Sequence, residues 1–325
     1  MGKPNALILA GYDKVDHKIK IKRKKEIIET YDGDEIYIGK NKFLYTLAGK
    51  PIIQYVLDAV YGAQINGRKI YDKIFLYNDI EIIKNTIDVD NYPNLVLKQM
   101  TESVGGHWND FYYNHMDYGD RVDVFFGDTP RIQTEDVEWI HELYNSIIGI
   151  KKDHRGIISR MLFGIVKFED MDDNWLKHRI KYIKRGQNKG KLKSFVGFED
   201  YQARVGNSGA LIKHKSQDKL IEYKAVNFIY NMRKALTPSS FSKILYSLWK
   251  TKNFNVIRQI KQKCINQNNM IDAIIQVVSD VFKIDLSEFA GSYVMITKNA
   301  SRWENDIDGP KDLKALRRKF ANKKK

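Results

Sequence analysis

Short apolar runs that alternate with amphipathic segments constrain the fold of the first half of the chain more than any other feature. The run at residues 6–10 has no polar residue, as in a parallel strand that is buried on both faces of a sheet. A helical pattern follows at residues 51–62, and further largely apolar runs lie at residues 74–77, 95–97 and 122–126. Strands that alternate with helices pair in parallel through right-handed crossovers. We therefore predict an α/β fold with a doubly wound, mostly parallel sheet.

The second half of the chain has a different pattern. Short strand-like runs that are broken by Gly, Asn and Asp begin near residue 155, which indicates a small mixed-sheet extension. Residues 217–285 carry helical patterns, and the run at residues 293–299 indicates one more strand before a terminal helix. We predict a main domain formed by residues 1–216 and 286–325, with an α-helical insertion at residues 217–285.

Charge and cysteine content narrow the class of protein. The 325-residue chain has a formal net charge of +15, which predicts an anionic partner: a phosphorylated metabolite, a nucleic acid or an acidic membrane surface. The basic residues crowd a run at residues 14–25 and the end of the chain. No apolar run reaches about 18 residues, so the sequence predicts no transmembrane segment. The single cysteine, Cys264, excludes an internal disulfide framework and is typical of a reducing cytoplasm, where we expect the protein.

Three separated stretches have the residues for phosphate chemistry. In "LILAGYD" the opening strand ends in a turn at Gly11. In "NKFLYTLAGKP" Lys42 precedes a helix, and in "VFFGDTP" Asp128 follows a buried strand. Gly, Asp and Pro are ordinary turn residues, but ligands of open α/β sheets bind just beyond the carboxyl ends of the strands. The position of Asp128 therefore favours a metal ligand over a simple turn.

In order and spacing these stretches resemble the GT-A-like nucleotidyltransferases, of the sugar-1-phosphate nucleotidylyltransferase type. Two later stretches extend the resemblance: "VGNSGALI" is similar to an acceptor-side Asn-Ser/Thr-Gly segment, and "DIDGPKDL" to a closing Asp-x-Asp-Thr-Pro-Glu-Asp-Leu. The resemblance covers residues 6–216 and 286–320, and the 217–285 helices fall outside it. It implies that the protein transfers a nucleoside monophosphate from an NTP to a phosphorylated acceptor and releases pyrophosphate. A sugar 1-phosphate is the favoured acceptor, and Mg²⁺ is the implied cofactor.

The resemblance also implies roles for individual residues. Lys42 would stabilise negative charge at the α-phosphate, and Asp128 with Asp308 would hold Mg²⁺, with Asp306 as the alternative ligand. Mg²⁺ prefers one or two carboxylates together with water and phosphates, so such a pair suits it. The residues implied to contact the nucleotide are Leu9, Ala10, Gly11, Tyr12, Gln99, Gly105 and Gly106. The residues implied to contact the acceptor are Asn207 and Gly209.

The sequence departs from the family pattern in the phosphate loop. A second glycine and an arginine usually follow within a few residues, whereas here Tyr12 and Asp13 follow Gly11. The interval before Lys42 is also longer than usual and contains the basic run at residues 14–25. We predict that this run supplies some of the missing positive charge. The alternative is a charged hairpin that has no contact with the triphosphate.

Two other functions stay open at the level of the sequence. A glycosyltransferase of related fold would use a sugar nucleotide, but such enzymes usually have Asp-x-Asp at the metal, where this chain has Asp128-Thr129-Pro130. A basic nucleic-acid-binding protein on a degenerate transferase scaffold would fit the charge of +15, but no RNA- or DNA-binding motif is visible. Nucleotidyl transfer is therefore the favoured hypothesis, with nucleic acid as a less favoured partner.

Overall fold

The apolar runs of the first half form buried strands. A computed structural model of the chain describes residues 2–11, 41–172, 196–197, 199–234, 249, 258–259, 266–304, 307 and 310–322. The site residues Tyr12, Asp306 and Asp308 and the basic run at residues 14–25 lie outside the described residues. The helix that the sequence predicts at residues 240–250 also lies outside them, except for one residue.

The secondary structure follows the predicted alternation. The strands, labelled in chain order over the described residues, are β1 (Asn5–Leu9), β2 (Thr46–Leu47), β3 (Lys50–Pro51), β4 (Gln64–Ile65), β5 (Arg68–Lys69), β6 (Ile74–Asn78), β7 (Leu95–Gln99), β8 (Arg121–Phe126), β9 (Met161–Lys167), β10 (Val196–Gly197), β11 (Gln202–Ile212) and β12 (Gly291–Met295). The α-helices, labelled in the same way, are α1 (Ile52–Gly62), α2 (Ile80–Thr86), α3 (Val104–Asn114), α4 (Thr134–Asn145), α5 (Asp218–Ile221), α6 (Tyr223–Lys234), α7 (Gln267–Phe282), α8 (Ala300–Trp303) and α9 (Pro310–Asn322).

The chain divides into two compact units. The first consists of Lys3–Ser103, Asp123–Glu138 and Arg302–Lys325, and the second of Met1–Gly2, Val104–Val122 and Trp139–Ser301. In the first unit the strands follow the order β8-β1-β6-β7, and β6 is parallel to β1 and β7. In the second unit the order is β12-β9-β11, with β12 parallel and β11 antiparallel to β9. The predicted α/β fold with a mostly parallel sheet and a mixed extension is confirmed, whereas the separate insertion at residues 217–285 stays a prediction.

Helix α1 of the first unit has the predicted inner face. Pro51 is its N-cap, one position before the first helical residue, and the helix ends at Gly62. A Cβ added at Gly62 would lie 2.7 Å from the Oγ1 atom of Thr134, at the start of α4. Gly62 therefore lies close to the side chain of Thr134, and its φ is not in the left-handed region.

The second unit differs from the sequence prediction in two details. The first residues of the predicted helical part form two helices, α5 and α6, because the chain leaves the helical conformation at Glu222, where φ is −51° and ψ is 139°. Strand β11 is longer than predicted and has a register shift between Val205 and Gly209. None of the helices in the described part of the chain is long and apolar enough to cross a membrane.

Helix α9 at the end of the chain packs against the start of α1. Five buried residues form this cluster: Leu47, Ile52, Ile307, Leu313 and Leu316. Tyr45, Tyr55 and Phe320 pack against it, and the Tyr55 and Phe320 rings meet edge to face at a centroid distance of 5.2 Å. The cluster thereby attaches the residues that precede α9 to the N-terminal half of the first unit.

We expect Leu316→Ala to lower the free energy of unfolding by about 2–5 kcal/mol, because it leaves a cavity in this cluster. The matched control is Lys314→Ala on the same helix, since Lys314 is exposed. Chemical denaturation of both variants measures the difference. Equal free energies of unfolding for the two variants would contradict the packing of α9.

Candidate functional site

The end of strand β8 places Asp128 in a short structured turn. Gly127 donates its N–H to the carbonyl oxygen of Leu9 at 3.0 Å, which continues the alignment of β8 with β1. The Oγ1 atom of Thr129 donates to the carbonyl oxygen of Phe126 at 2.8 Å. These bonds fix the backbone on both sides of Asp128. Its side chain is 14% exposed, so a partly buried carboxylate stands at the carboxyl end of the strand.

Gly127 is required here by close packing. A Cβ at this position would lie 2.6 Å from Cδ1 of Ile53, 2.8 Å from Cβ of Ala10 and 3.2 Å from Cδ1 of Phe43. Distances below 3.0 Å force a shift of the neighbouring atoms. Because these atoms belong to the residue after β1, to α1 and to the 3₁₀ turn of Lys42, the absence of a side chain lets three segments pack around Gly127.

Lys42 lies against Asp128. It is the first residue of a 3₁₀ turn, Lys42–Leu44, and its Nζ atom donates to Oδ2 of Asp128 at 2.6 Å. The same ammonium donates to the carbonyl oxygen of Ile307 at 2.7 Å. The N–H of Ile307 in turn donates to the carbonyl oxygen of Asp128 at 3.1 Å. Three segments that are distant in sequence therefore meet at one ammonium group.

The donor set around Asp128 suits a cation that keeps most of its ligands from outside the protein. No hydrogen bond to Oδ1 comes from a described residue, while Oδ2 is held by Lys42. Among the residues that the structure describes, no group of three or more His, Cys, Asp or Glu could hold a metal ion. Mg²⁺ binds through one or two carboxylates plus water and phosphate oxygens, so the single carboxylate of Asp128 fits it. The predicted second ligand, Asp308, follows the anchored Ile307 but lies outside the described residues.

The segment predicted as a phosphate loop is held by a residue that the sequence analysis missed. Leu9 and Ala10 are buried, and Gly11 is partly exposed. The carbonyl oxygen of Ala10 accepts a hydrogen bond from Nδ2 of Asn78 at 2.7 Å. Oδ1 of Asn78 also accepts from the side-chain amide of Asn41, the residue before Lys42. Its sequence signal, an Asn at the end of an apolar run, is the same as that of a helix cap.

The residues predicted to frame the base fall in both units. Gln99 ends β7 in the first unit, is exposed, and accepts the N–H of Ile80 on Oε1 at 3.3 Å. Gly105 and Gly106 lie in the first turn of α3 in the second unit. The N–H of Gly105 donates to Oδ1 of Asn227 on α6 at 2.9 Å. A base contact of these residues stays a prediction, and in Gly105 the N–H already has a protein acceptor.

The residues predicted to contact the acceptor lie at the irregularity of β11. Asn207 is 2% exposed, within the register shift, and Gly209 pairs with Phe163 of β9. A Cβ at Gly209 would lie 2.7 Å from the carbonyl oxygen of Leu162, so the closeness of the two strands explains this glycine. The acceptor-side role of both residues stays a prediction.

His107 in α3 and His115, which follows the helix, belong to no group of three or more possible metal ligands among the described residues. His107 is 2% exposed, and burial lowers its pKa to about 4, so the imidazole is neutral at pH 7. His115 has Asp110 as its acidic neighbour, with 3.7 Å between Nε2 and Oδ2. His107 is therefore a buried, neutral histidine of the second unit.

Comparison with known proteins gives similarity at the level of the fold. No family model and no curated protein sequence matches the chain. Among solved structures, a hypothetical transferase from Thermus thermophilus matches with a TM-score of 0.53 and 13% identity, over 96% of this chain and 100% of that chain.

Two further solved structures match less well. CMP:2-keto-3-deoxy-manno-octonic acid synthetase in complex with CTP has a TM-score of 0.45 and 11% identity, over 99% of this chain and 100% of that chain. 4-Diphosphocytidyl-2C-methyl-D-erythritol synthase from Anaerococcus prevotii has a TM-score of 0.47 and 12% identity, over 98% of this chain and 95% of that chain. At these identities a match concerns the fold alone, and at these two TM-scores it supports no argument about the chemistry.

We expect Gly127→Ala to destabilise the first unit by about 1–3 kcal/mol, because the added methyl group overpacks the contact with Ala10 and Ile53. The reference is Ile53→Val, which removes the Cδ1 atom that the new Cβ would meet first. In the double variant the cost of the methyl group should fall, so the two changes should not be additive. Additive free energies of unfolding would show that the contact does not limit this position.

Proposed function

We propose that the protein is a Mg²⁺-dependent nucleotidyltransferase, which transfers a nucleoside monophosphate from an NTP to a phosphorylated acceptor, with a sugar 1-phosphate as the favoured acceptor. The sequence resemblance predicts the fold of the GT-A-like nucleotidyltransferases, and the mostly parallel α/β sheet and the similarity to a hypothetical transferase support this prediction. A shared fold does not define a reaction, so the proposal depends on the site.

The observation that carries the proposal is the contact of Lys42 with Asp128 and with the carbonyl oxygen of Ile307. In the sequence, Lys42 is separated from Asp128 by 86 residues and from Ile307 by 265 residues. Each of the three lies in a different sequence motif. The resemblance assigns Lys42 to the α-phosphate and Asp128 to Mg²⁺, so it implies that both residues lie at one triphosphate, which fold similarity alone does not imply. A lysine that was only part of a solvated surface would have no reason to meet the one carboxylate at the end of β8.

The proposed reaction needs few protein groups. An oxygen of the acceptor phosphate attacks the α-phosphorus of the NTP, the bond from that phosphorus to the bridging oxygen breaks, and pyrophosphate leaves with the electron pair. Phosphoryl chemistry of this kind depends on positioning and on charge neutralisation. Mg²⁺, when bound by Asp128 and Asp308, would neutralise charge on the phosphate oxygens and orient them.

Lys42 is proposed to act on the α-phosphate. Its ammonium carries three donor hydrogens on a flexible stem, and two of its acceptors are the Asp128 carboxylate and a backbone carbonyl. A phosphate oxygen is an equally suitable acceptor, so the ammonium can follow the charge that grows at the α-phosphorus. Since that charge is larger in the transition state than in the bound NTP, Lys42 is expected to contribute more to the rate than to binding.

The other roles are proposed from the resemblance. The backbone of Gly11 and Tyr12 would approach the triphosphate, and the basic run at residues 14–25 would supply charge in place of the missing arginine. The base would be read near Gln99, Gly105 and Gly106, and the acceptor near Asn207 and Gly209.

We expect Asp128→Asn to abolish pyrophosphate release while the protein stays folded, because an amide is a poor Mg²⁺ ligand and the loss of a metal contact costs several kcal/mol. The assay combines each NTP with Mg²⁺ and a panel of sugar 1-phosphates. Asp72→Asn removes an exposed carboxylate of the same unit and is the control. Release within about tenfold of wild type, about 1.4 kcal/mol, would reject Asp128 as a metal ligand.

A wild-type protein that releases no pyrophosphate from any NTP would reject the proposed function itself. Turnover of a sugar nucleotide instead would indicate the glycosyltransferase. Salt-dependent RNA binding without any turnover would indicate the nucleic-acid-binding protein.

We expect Lys42→Ala to lower kcat by at least about 100-fold and to raise the KM for NTP much less, since its charge acts mainly in the transition state. Lys50→Ala is the control, because Lys50 forms its own ion pair with Asp58 in the same unit. Steady-state kinetics of pyrophosphate release measures both constants. A variant in which only the KM for NTP changes would make Lys42 a binding residue.

A further inference from the structure

We infer that Asn78 is a positioning residue of the proposed site, which holds the backbone next to Gly11 and the segment that carries Lys42 in one fixed arrangement. The inference rests on the proposed function, and it concerns a residue that lies outside every motif of the resemblance. Asn78 is the last residue of β6 and is 1% exposed.

The side-chain amide of Asn78 is used as donor and as acceptor. Nδ2 donates to the carbonyl oxygen of Ala10 at 2.7 Å. Oδ1 accepts from the N–H of Asp79 at 2.7 Å and from Nδ2 of Asn41. The two amides also approach in the reverse sense, with 3.5 Å from Nδ2 of Asn78 to Oδ1 of Asn41. An aspartate side chain has the same shape but no hydrogen to donate. Only the amide of an asparagine can therefore donate to Ala10 and accept from Asp79 and Asn41.

Both distant partners of Asn78 are neighbours of proposed site residues. Ala10 precedes Gly11, where the proposed phosphate loop begins, and Asn41 precedes Lys42. A displacement of either segment would therefore change the distance from the ammonium to the bound triphosphate. Because the amide is buried and bonded on both sides, it holds the two segments together without contacting the reacting atoms.

Local structure does not account for the side chain of Asn78. Helix α2 has its own cap, because Oδ1 of Asp79 accepts the N–H of Ile82 at 3.3 Å. The carbonyl oxygen of Asn78 accepts the N–H of Met100 at 2.8 Å, so the end of β6 is also satisfied through the backbone. The contacts of the side chain with Ala10 and Asn41 are additional to the needs of the strand and the helix.

Two substitutions test the inference, each with a matched control. Asn78→Ala removes the amide, and Asn78→Asp keeps its shape but turns an oxygen towards the carbonyl of Ala10. Asn94→Ala and Asn94→Asp are the controls. Asn94 belongs to the same unit, lies at the opposite ends of β6 and β7, and donates to the carbonyl oxygen of Tyr71 at 3.2 Å. The kinetics of pyrophosphate release and the melting temperature are measured for all four variants.

We expect both Asn78 variants to lower kcat/KM for NTP by about 10- to 100-fold, since a misplacement of about 1 Å has effects of this size. The KM for the acceptor should change by less than about threefold, because the acceptor is bound by other groups. The melting temperature of the Asn94 variants should fall by as much as that of the Asn78 variants, but the Asn94 variants should retain their activity. The inference is overturned if the activities of the Asn78 and Asn94 variants fall together with their melting temperatures.

A double-variant cycle tests whether Asn78 acts through Lys42. In a Lys42→Ala background, Asn78→Ala should lower the residual rate by a smaller factor than in the wild type, because one of the two segments that it positions no longer carries the ammonium. A residue that only stabilises the fold would give the same fold-change in both backgrounds. Equal fold-changes would therefore overturn the inference.

Hydrogen exchange separates a failure of this inference from a failure of the proposed function, because it needs no substrate. Asn78→Ala should speed exchange in the peptides that contain residues 5–11 and 41–47, and Asn94→Ala should not. Unchanged exchange in these peptides overturns the inference. Faster exchange, in a protein whose wild type releases no pyrophosphate, supports the positioning by Asn78 and rejects the proposed function.

Discussion

The ammonium group of Lys42 is the interaction on which the arrangement of the candidate site depends. It lies 2.6 Å from the carboxylate of Asp128 and 2.7 Å from the carbonyl oxygen of Ile307. Both acceptors carry negative charge or partial charge, and they would repel each other without the cation between them. The lysine is therefore a structural link between the end of β8 and the segment before α9, and also the group that we propose for catalysis. Tests of its kinetic role need a parallel measurement of stability for this reason.

Apolar packing beneath the site determines where the carboxylate stands. Gly127 has no side chain, and Ala10, Ile53 and Phe43 fill the space around it. The position of Asp128 is thus set by the core of the first unit, in which the residue after β1, α1 and the 3₁₀ turn of Lys42 meet. The Asp128 carboxylate is positioned by the packed core around Gly127 and by its ion pair with Lys42, so it has little conformational freedom. Phosphoryl chemistry requires such pre-organisation.

The sequence predicts well the parts of the structure that depend on local pattern. The apolar runs of β1 and β8 and the inner face of α1 are visible because each extends over several residues with one period. That Lys42 and Asp128 belong to one site is expected only from the resemblance to a family, since no local signal joins residues so far apart.

Other features depend on single contacts between distant segments, and for these the sequence has no signal. Asn78 has the appearance of a helix cap, and its role is visible only once Ala10 and Asn41 are seen beside it. Gly105 and Gly209 are predicted as ligand-side glycines, yet close approaches of Tyr223 and of the Leu162 carbonyl explain their lack of a side chain. Sequence alone cannot separate a glycine that faces a ligand from one that faces a neighbouring backbone.

The two partners of Asn78 have a consequence for how this chain can vary. Gly11 and Asn41 border residues 12–40, and the amide of Asn78 holds the backbone at one border and the side chain at the other. When the ends of a connection are fixed by the scaffold, each doubling of its length costs only about 0.6 kcal/mol of closure entropy. Because both borders are fixed by contacts outside the connection, the place of Lys42 beside the strand does not depend on the connection itself. The amide thus separates the placement of the lysine from the length of the connection, whose basic run we propose as a source of charge for the triphosphate.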